Sequence, residues 1–253
     1  MQFRLIEQET YYAAMNMAID EAIAESVSKN ESLPTIRFYK WKNNSISIGS
    51  NQNEQEINLG LCRKSNVEVV RRITGGRAVY HDKMDFTYSV VAPIDVFNND
   101  INNAYSEICS WIIRALSEIG IKSELRNKND IMANDRKISG NAAKLFDSKI
   151  YLQHGTLVYD IDLDLMPNVL NISKETAKEK IASVTEFKKI NNEKVYKSLK
   201  NNFINGKKII IEKLSNDELS KSRRLAAAKY SSVKLPNNSI LKNKGACYVL
   251  SGN

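Results

Sequence analysis

Short alternating strand patterns and longer helix-period stripes are interleaved along this chain without a regular strand–helix–strand repeat. That order excludes a doubly wound parallel sheet and a helical bundle. It selects an α+β fold of mixed, mostly antiparallel sheets flanked by helices. Residues 13–28 place Met15, Ile19, Ala22, Ile23 and Val27 at helical spacing. Residues 103–119 carry Tyr105, Ile108, Cys109, Ile112, Leu116 and Ile119 on one face, and Gly120 follows in the capping place. Two more helices are read at 193–204 and 216–230. Strands are read at 35–41, 45–49, 67–72, 85–92, 131–133, 137–141, 150–159 and 209–211. Asn43-Asn44 reads as a hairpin turn between the first two strands, and Thr74-Gly75-Gly76, Asn134-Asp135 and Asp147-Ser148 read as further turns. The stretch 231–253 carries weak signals.

Composition narrows the function classes. The chain has 253 residues, enough for one large domain with or without a small appendage. No uncharged apolar run approaches the ~18–20 residues that span a bilayer, and the N-terminus lacks a signal-peptide layout. Cys62, Cys109 and Cys247 are far apart and odd in number, which argues against a disulfide framework and a zinc site. The expectation is a cytoplasmic protein. Of the net charge of +8, residues 174–253 hold 18 Lys/Arg against 7 Asp/Glu, and the rest of the chain 19 against 22. Such a surplus suits a solvated face, or contact with nucleic acid, anionic lipid or an acidic protein. The basic residues are dispersed and lack interleaved aromatics, so no nucleic-acid groove is expected.

The chemistry-bearing residues cluster in a few segments. The only two histidines, His81 and His154, each lie near glycines, with no Cys or second His at metal-ligand spacing. Gly75-Gly76 is flanked by Arg71, Arg72 and Arg77. Glycines admit an anion to backbone N–H groups and arginines supply charge, so this is either a phosphate loop or a tight turn between strands. It is neither a Walker A loop nor a dinucleotide fingerprint. Lys137 stands beside Ser139-Gly140, either aimed into a pocket or on a hairpin surface.

These segments resemble the lipoate–protein ligase family, within the group that includes biotin ligases and octanoyltransferases. The resemblance rests on Ser47–Asn53, Arg71–Asp82, Asn129-Asp130, Asp135–Ala142 and His154–Leu157, in the family's order and spacing. It runs from about residue 3 to about residue 232. It implies ATP-dependent activation of lipoate, or octanoate, to an acyl-AMP with Mg²⁺, then transfer to a carrier lysine. Lys137 resembles the catalytic lysine that touches both acyl carbonyl and α-phosphate. Arg72, Gly75, Gly76, Arg77, Ala78, Val79, Tyr80, Asn129, Asp130 and Lys137 resemble the nucleotide site. Asn51, Gly76, His81, Lys137, Ser139, Gly140, His154 and Gly155 resemble the lipoate side. Asp130 falls where a Mg²⁺ ligand is expected. The implied carriers are glycine-cleavage H protein and the acyltransferase components of 2-oxoacid dehydrogenases.

Two features depart from the family pattern. Arg77 stands where many members have a third glycine. Single-chain members also continue into an accessory C-terminal domain, whereas here residues 1–232 read as the catalytic domain and 233–253 as an extension. That resembles the two-part archaeal-type ligases and implies a separate small subunit. Two rivals remain. An octanoyltransferase would take octanoyl from acyl carrier protein without ATP, and Phe86–Ser89 resembles that branch equally. Its cysteine-dependent members carry their nucleophile shortly before the Lys-Ile-Ser-Gly segment, where residues 110–136 hold no cysteine. A non-catalytic binding module for lipoyl-AMP or a carrier is the other rival.

Overall fold

Val90 and Val91 are adjacent and fully buried, yet they enter different cores. Strand side chains alternate between faces, so a strand buried twice is central to its sheet, with cover on both sides. The computed structural model, described over residues 1–230, has this layering. Chain order is β1 (Gln2–Tyr11), α1 (Ala13–Ser28), β2 (Thr35–Trp41), β3 (Ser45–Ile48), α2 (Leu59–Lys64), β4 (Glu68–Arg71), β5 (Val79–His81), β6 (Phe86–Pro93), α3 (Ile101–Glu118), β7 (Glu124–Arg126), β8 (Asp130–Ala133), β9 (Arg136–Phe146) and β10 (Ile150–Leu157). Then come α4 (Met166–Val169), α5 (Lys174–Lys180), α6 (Val184–Phe187), α7 (Asn192–Ile204), β11 (Lys208–Ile211) and α8 (Asn216–Leu225), which runs into a wider helical turn at Ala226–Tyr230.

The large sheet has the order β11-β1-β2-β6-β10-β9-β8-β7. Its pairings are parallel at β11/β1 and β1/β2 and antiparallel from β2 onward. A small sheet, β4-β3-β5, stands apart. Phe38, Tyr88, Val90 and Tyr151 face α3 and α7, with Trp111, Ile112, Leu199 and Phe203. Ile6, Val91 and Leu152 face α1, with Ile19, Ile23 and Val27. Fully burying each such side chain stabilises by roughly 1.5–3 kcal/mol. The fold class is therefore α+β with mostly antiparallel sheets, as the pattern predicts.

The predicted hairpin at Asn43-Asn44 is corrected. β2 lies in the large sheet and β3 in the small one, so these residues link two sheets. The reason is that both edges of β2 are already taken, by β1 and β6. The turns at Asn134-Asp135 and Asp147-Ser148 do close hairpins, with φ of 47° and 58°, and of 47° and 56°. Two successive positive φ angles match the twist of paired strands. β9 extends to Phe146, well past the predicted 141, because it pairs along all of β10. β10 ends at Leu157, two residues before the predicted 159, while the helical stretch predicted over 216–230 is present, as α8 followed by the wider turn Ala226–Tyr230. Strands β1, β5 and β7 and helices α2, α4, α5 and α6 had no reading. Residues 231–253, including the 233–253 extension, lie outside the described residues. Among the described residues no helix is long and apolar enough to cross a membrane.

Candidate active site

The loop from β4 to β5 is braced from within. Arg72 is buried, and its guanidinium donates to Ser47 O (2.6 Å), Gly75 O (2.7 Å), Arg77 O (2.9 Å) and Thr74 Oγ1 (3.1 Å). Burial lowers its pKa to about 10, which leaves it charged at neutral pH. Gly76 has φ +97°, a region open to glycine. A methyl at Gly49 would overlap the Gly76 carbonyl, so the end of β3 and the loop meet only because no side chain intervenes. Arg77 is exposed at the rim.

Two cavities, of about 110 and 130 Å³, share Ala78, Val79, Lys137, Gly140 and Thr156. The first runs beneath the loop, between Lys137, Asn129 and Asn141 on one side and Met17, Tyr39 and Trp41 on another. The second lies against Tyr80, Asp85, Val158, Ile161, Met166 and Ile181. Lys137 thus faces both. Its Nζ sits 2.6 Å from Asp130 Oδ1, an ionic contact rather than a directed hydrogen bond. Gly140 leaves room for it, since a Cβ there would stand 2.6 Å from Lys137 Cε. Burial pushes the Asp85 carboxyl up to about 8 even though it accepts backbone N–H groups from Tyr159 and Asp82.

Both histidines are built in. His81 Nε2 lies 2.8 Å from Ser47 Oγ and Nδ1 3.1 Å from Thr156 Oγ1, and its ring stacks on Trp41 with centroids 4.1 Å apart. Burial and then the Arg72 charge hold its pKa well below the usual histidine value, so it is neutral. His154 Nδ1 donates to Asp20 Oδ2 at 3.2 Å, and its Nε2 is 2.7 Å from Thr74 Oγ1. Asp20 is fully enclosed beside Arg37, Tyr39 and Ser89. Burial opposes its charge, but His154, Arg37 and Ser89 outweigh burial and hold its pKa below the usual range. A chain of contacts therefore runs from Asp20 through His154 and Thr74 to the Arg72 loop.

Of the predicted residues, Arg72, Gly76, Arg77, Ala78, Val79, His81, Asn129, Lys137, Gly140, His154 and Gly155 line the first cavity. Tyr80 lines the second. Four others do not line either. Asn51 is exposed beyond β3, Ser139 is buried within β9, Gly75 contributes its carbonyl to Arg72, and Asp130 contacts Lys137. Arg72, expected at the nucleotide, lines the first cavity with its donors on Ser47 of β3 and on Thr74, Gly75 and Arg77 of the loop. Asp130 alone, already paired with an ammonium, does not make a Mg²⁺ cage. Among the described residues no group of three metal-binding side chains occurs. Mg²⁺ commonly enters such sites on substrate phosphates with few protein ligands. Sequence reading missed Met17, Asp20, Tyr39 and Trp41, which carry no local motif. It also missed a role for Asn141 and Thr156, although both lie inside segments already singled out.

A carboxylate-paired lysine shared by two cavities, beside an arginine-braced glycine loop, makes this the candidate active site. Residues 12–204 match the lipoyl protein ligase A/B catalytic domain, and the chain belongs to that family of lipoate ligases and octanoyltransferases. Octanoyltransferase LipM of Clostridioides difficile is 34% identical over 206 residues, covering 73% of this chain and 75% of that protein. Lipoate–protein ligase 1 of Staphylococcus aureus is 34% identical over 182 residues, covering 68% of this chain and 53% of that one. The structure of a bi-partite lipoate protein ligase from Thermoplasma acidophilum superposes with a TM-score of 0.79 at 26% identity, covering 95% of this chain and all of that one. Identity alone does not separate ligase from transferase.

Proposed function

We propose that this chain is an ATP-dependent lipoate–protein ligase of the cytoplasm, forming lipoyl-AMP and passing the lipoyl group to a lysine of a lipoyl carrier protein. The observation that carries the reading is Lys137 at the boundary of two cavities, with no described cysteine lining either. Cys62 and Cys109 are buried, and burial pushes their thiols up to about 11 and about 12. Cys109 Sγ contacts Gln153 Nε2 inside the core. A buried, protonated thiol is a poor nucleophile for an acyl-thioester relay.

In this reading the acyl chain fills the first cavity and adenosine the second. β2 and β9 are separated by β6 and β10, so roughly 14 Å lies between Trp41 and Lys137 across the sheet. That span suits an eight-carbon acid. The lipoate carboxylate attacks the α-phosphorus, forming a new P–O bond as the bond to pyrophosphate breaks. Lys137 stabilises the charge that develops on the phosphoryl oxygens without reorganising. The carrier amine, having lost its proton, then attacks the acyl carbonyl and the bond to AMP breaks. Arg72 and the Asp20–His154–Thr74 chain hold the loop in place during both steps. A separate small subunit that assists adenylation is part of the proposal, on the precedent of the bi-partite neighbour.

The test is the intact mass of an apo carrier after incubation with preformed lipoyl-AMP, with Lys137→Ala and enzyme-free controls. A lipoyl adduct above both controls is expected. The transferase reading is favoured by the larger share of LipM that the chain matches, 75% against 53% of the ligase at equal identity. It would prevail if octanoyl-acyl carrier protein gave an adduct and lipoyl-AMP gave none. Absence of either adduct would leave the non-catalytic binder.

A further inference from the structure

The apolar side of the first cavity is backed by the last turn of the described chain. Met17 on α1 and Tyr39 and Trp41 on β2 line the cavity. The same three side chains share one buried cluster with Val70 and Tyr230. Tyr230 is 1% exposed, although it ends a polar helix. Its hydroxyl donates to Glu21 Oε2, and Lys229 Nζ donates to Glu21 Oε1 at 2.6 Å. Glu21 lies one helical turn from Met17, on the same face of α1. Two donors from this last turn therefore converge on a carboxylate one helical turn from a cavity residue. α8 keeps that turn seated. It packs along α1, and its Glu218 receives both guanidinium nitrogens of buried Arg4 at 2.9 and 2.6 Å. No residue of the turn lines the cavity, so it acts from behind the wall.

We infer that Tyr230, latched to Glu21, is a positioning residue that fixes the cavity wall opposite Lys137 and limits the length of acyl chain accepted. The inference rests on the reading of the first cavity as an acyl slot, which ligase and transferase readings share. With the ring removed, the buried cluster that holds Met17, Tyr39 and Trp41 loses a large member and can relax outward. Each further methylene admitted is worth about fourfold in affinity.

The chain provides its own probe. Of its two tryptophans, Trp41 lines the cavity and Trp111 lies in the core on the other face of the sheet. Trp41 fluorescence therefore reports occupancy without any need for turnover. The full chain would be titrated with fatty acids from hexanoate to tetradecanoate, as wild type, Tyr230→Ala, Tyr230→Phe and Glu21→Gln. In the wild type octanoate should bind more tightly than dodecanoate. In Tyr230→Ala the dodecanoate-to-octanoate affinity ratio should rise tenfold or more. Tyr230→Phe and Glu21→Gln, which keep the ring but loosen the latch, should shift it less and in the same direction. Folded variants with the wild-type ratio would overturn the latch, and if Tyr230→Ala does not fold, an unchanged ratio in the other two does so. A wild type that binds octanoate but shows unchanged variants sinks the latch alone. A wild type that binds no fatty acid removes the acyl-slot reading and the latch with it.

Discussion

Lys137 and His81 both touch the first cavity, but they answer to different experiments. Lys137 is partly exposed and contributes little packing, so Lys137→Ala should leave the melting temperature within a degree or two on the scale of surface substitutions. Adenylate formation, read as pyrophosphate exchange with the complete system, should fall by about 10²–10³. A variant that exchanges pyrophosphate at the wild-type rate would refute its role. His81 is a stability residue as well as a wall. Its folded pKa lies well below the ordinary value, so below about pH 6.5 the unfolded chain takes up a proton that the folded chain refuses. Its contribution is full above that pH and is lost as pH falls, at up to about 1.4 kcal/mol per unit, until the folded pKa is reached. Urea midpoints at pH 7.5 and 5.5 should show the gap between wild type and His81→Gln narrowing at the lower pH. Parallel curves would count against it.

β9 and β10 form the floor that brings the motif segments together. Lys137, Gly140 and Asn141 come from β9, and His154, Gly155 and Thr156 from β10, in a register that sets His154 opposite Ala142 and Thr156 opposite Gly140. Gly140 carries a particular burden there. A methyl at that position meets only the flexible end of Lys137, 2.6–2.7 Å away, so the strand can accept it while the ammonium cannot stay. Gly140→Ala should therefore keep the fold, with a stability change below about 1 kcal/mol, and lose activity to nearly the level of Lys137→Ala. Loss of stability in step with activity would show instead that the strand itself is disturbed. The hairpin turns that set this register were readable because Asn-Asp and Asp-Ser tolerate positive φ. Asn43-Asn44, predicted as a hairpin turn, had similar turn chemistry but links two sheets. What differed was the availability of a strand edge, which is not a local property.

Across the whole molecule, charge and chemistry are set on different parts of the chain. All residues lining the two cavities except Ile181 fall within the first 170, whereas the basic surplus lies in residues 174–253. Lys178 and Lys180 are exposed on α5, next to Ile181 in the wall of the second cavity. An acidic carrier approaching that mouth would be drawn by long-range attraction. Raising ionic strength from about 50 to 500 mM shortens the screening length to a few ångströms. It should raise the KM for the carrier severalfold while leaving fatty-acid binding, read by Trp41 fluorescence, unchanged. Equal salt sensitivity of both would place the effect inside the cavity.

The α+β class, the long helices, two tight hairpins and the segments around Gly75-Gly76, Lys137 and His154 were written in periodicity, turn residues and motif order. Those features are local, because a strand's alternation and a turn's φ requirements depend on near neighbours. The second wall of the site was not. Met17, Asp20, Tyr39 and Trp41 look like ordinary residues of a helix and a strand, and Tyr230 like the end of another helix. They meet the motif residues because the large sheet stacks β2 three places from β9 and lays α1 across it, so contacts between segments more than a hundred residues apart decided which side chains close the cavity. Arg72 shows the same division. Its sequence suggested a cation for phosphate, and the fold turned its donors onto carbonyls of β3 and of its own loop.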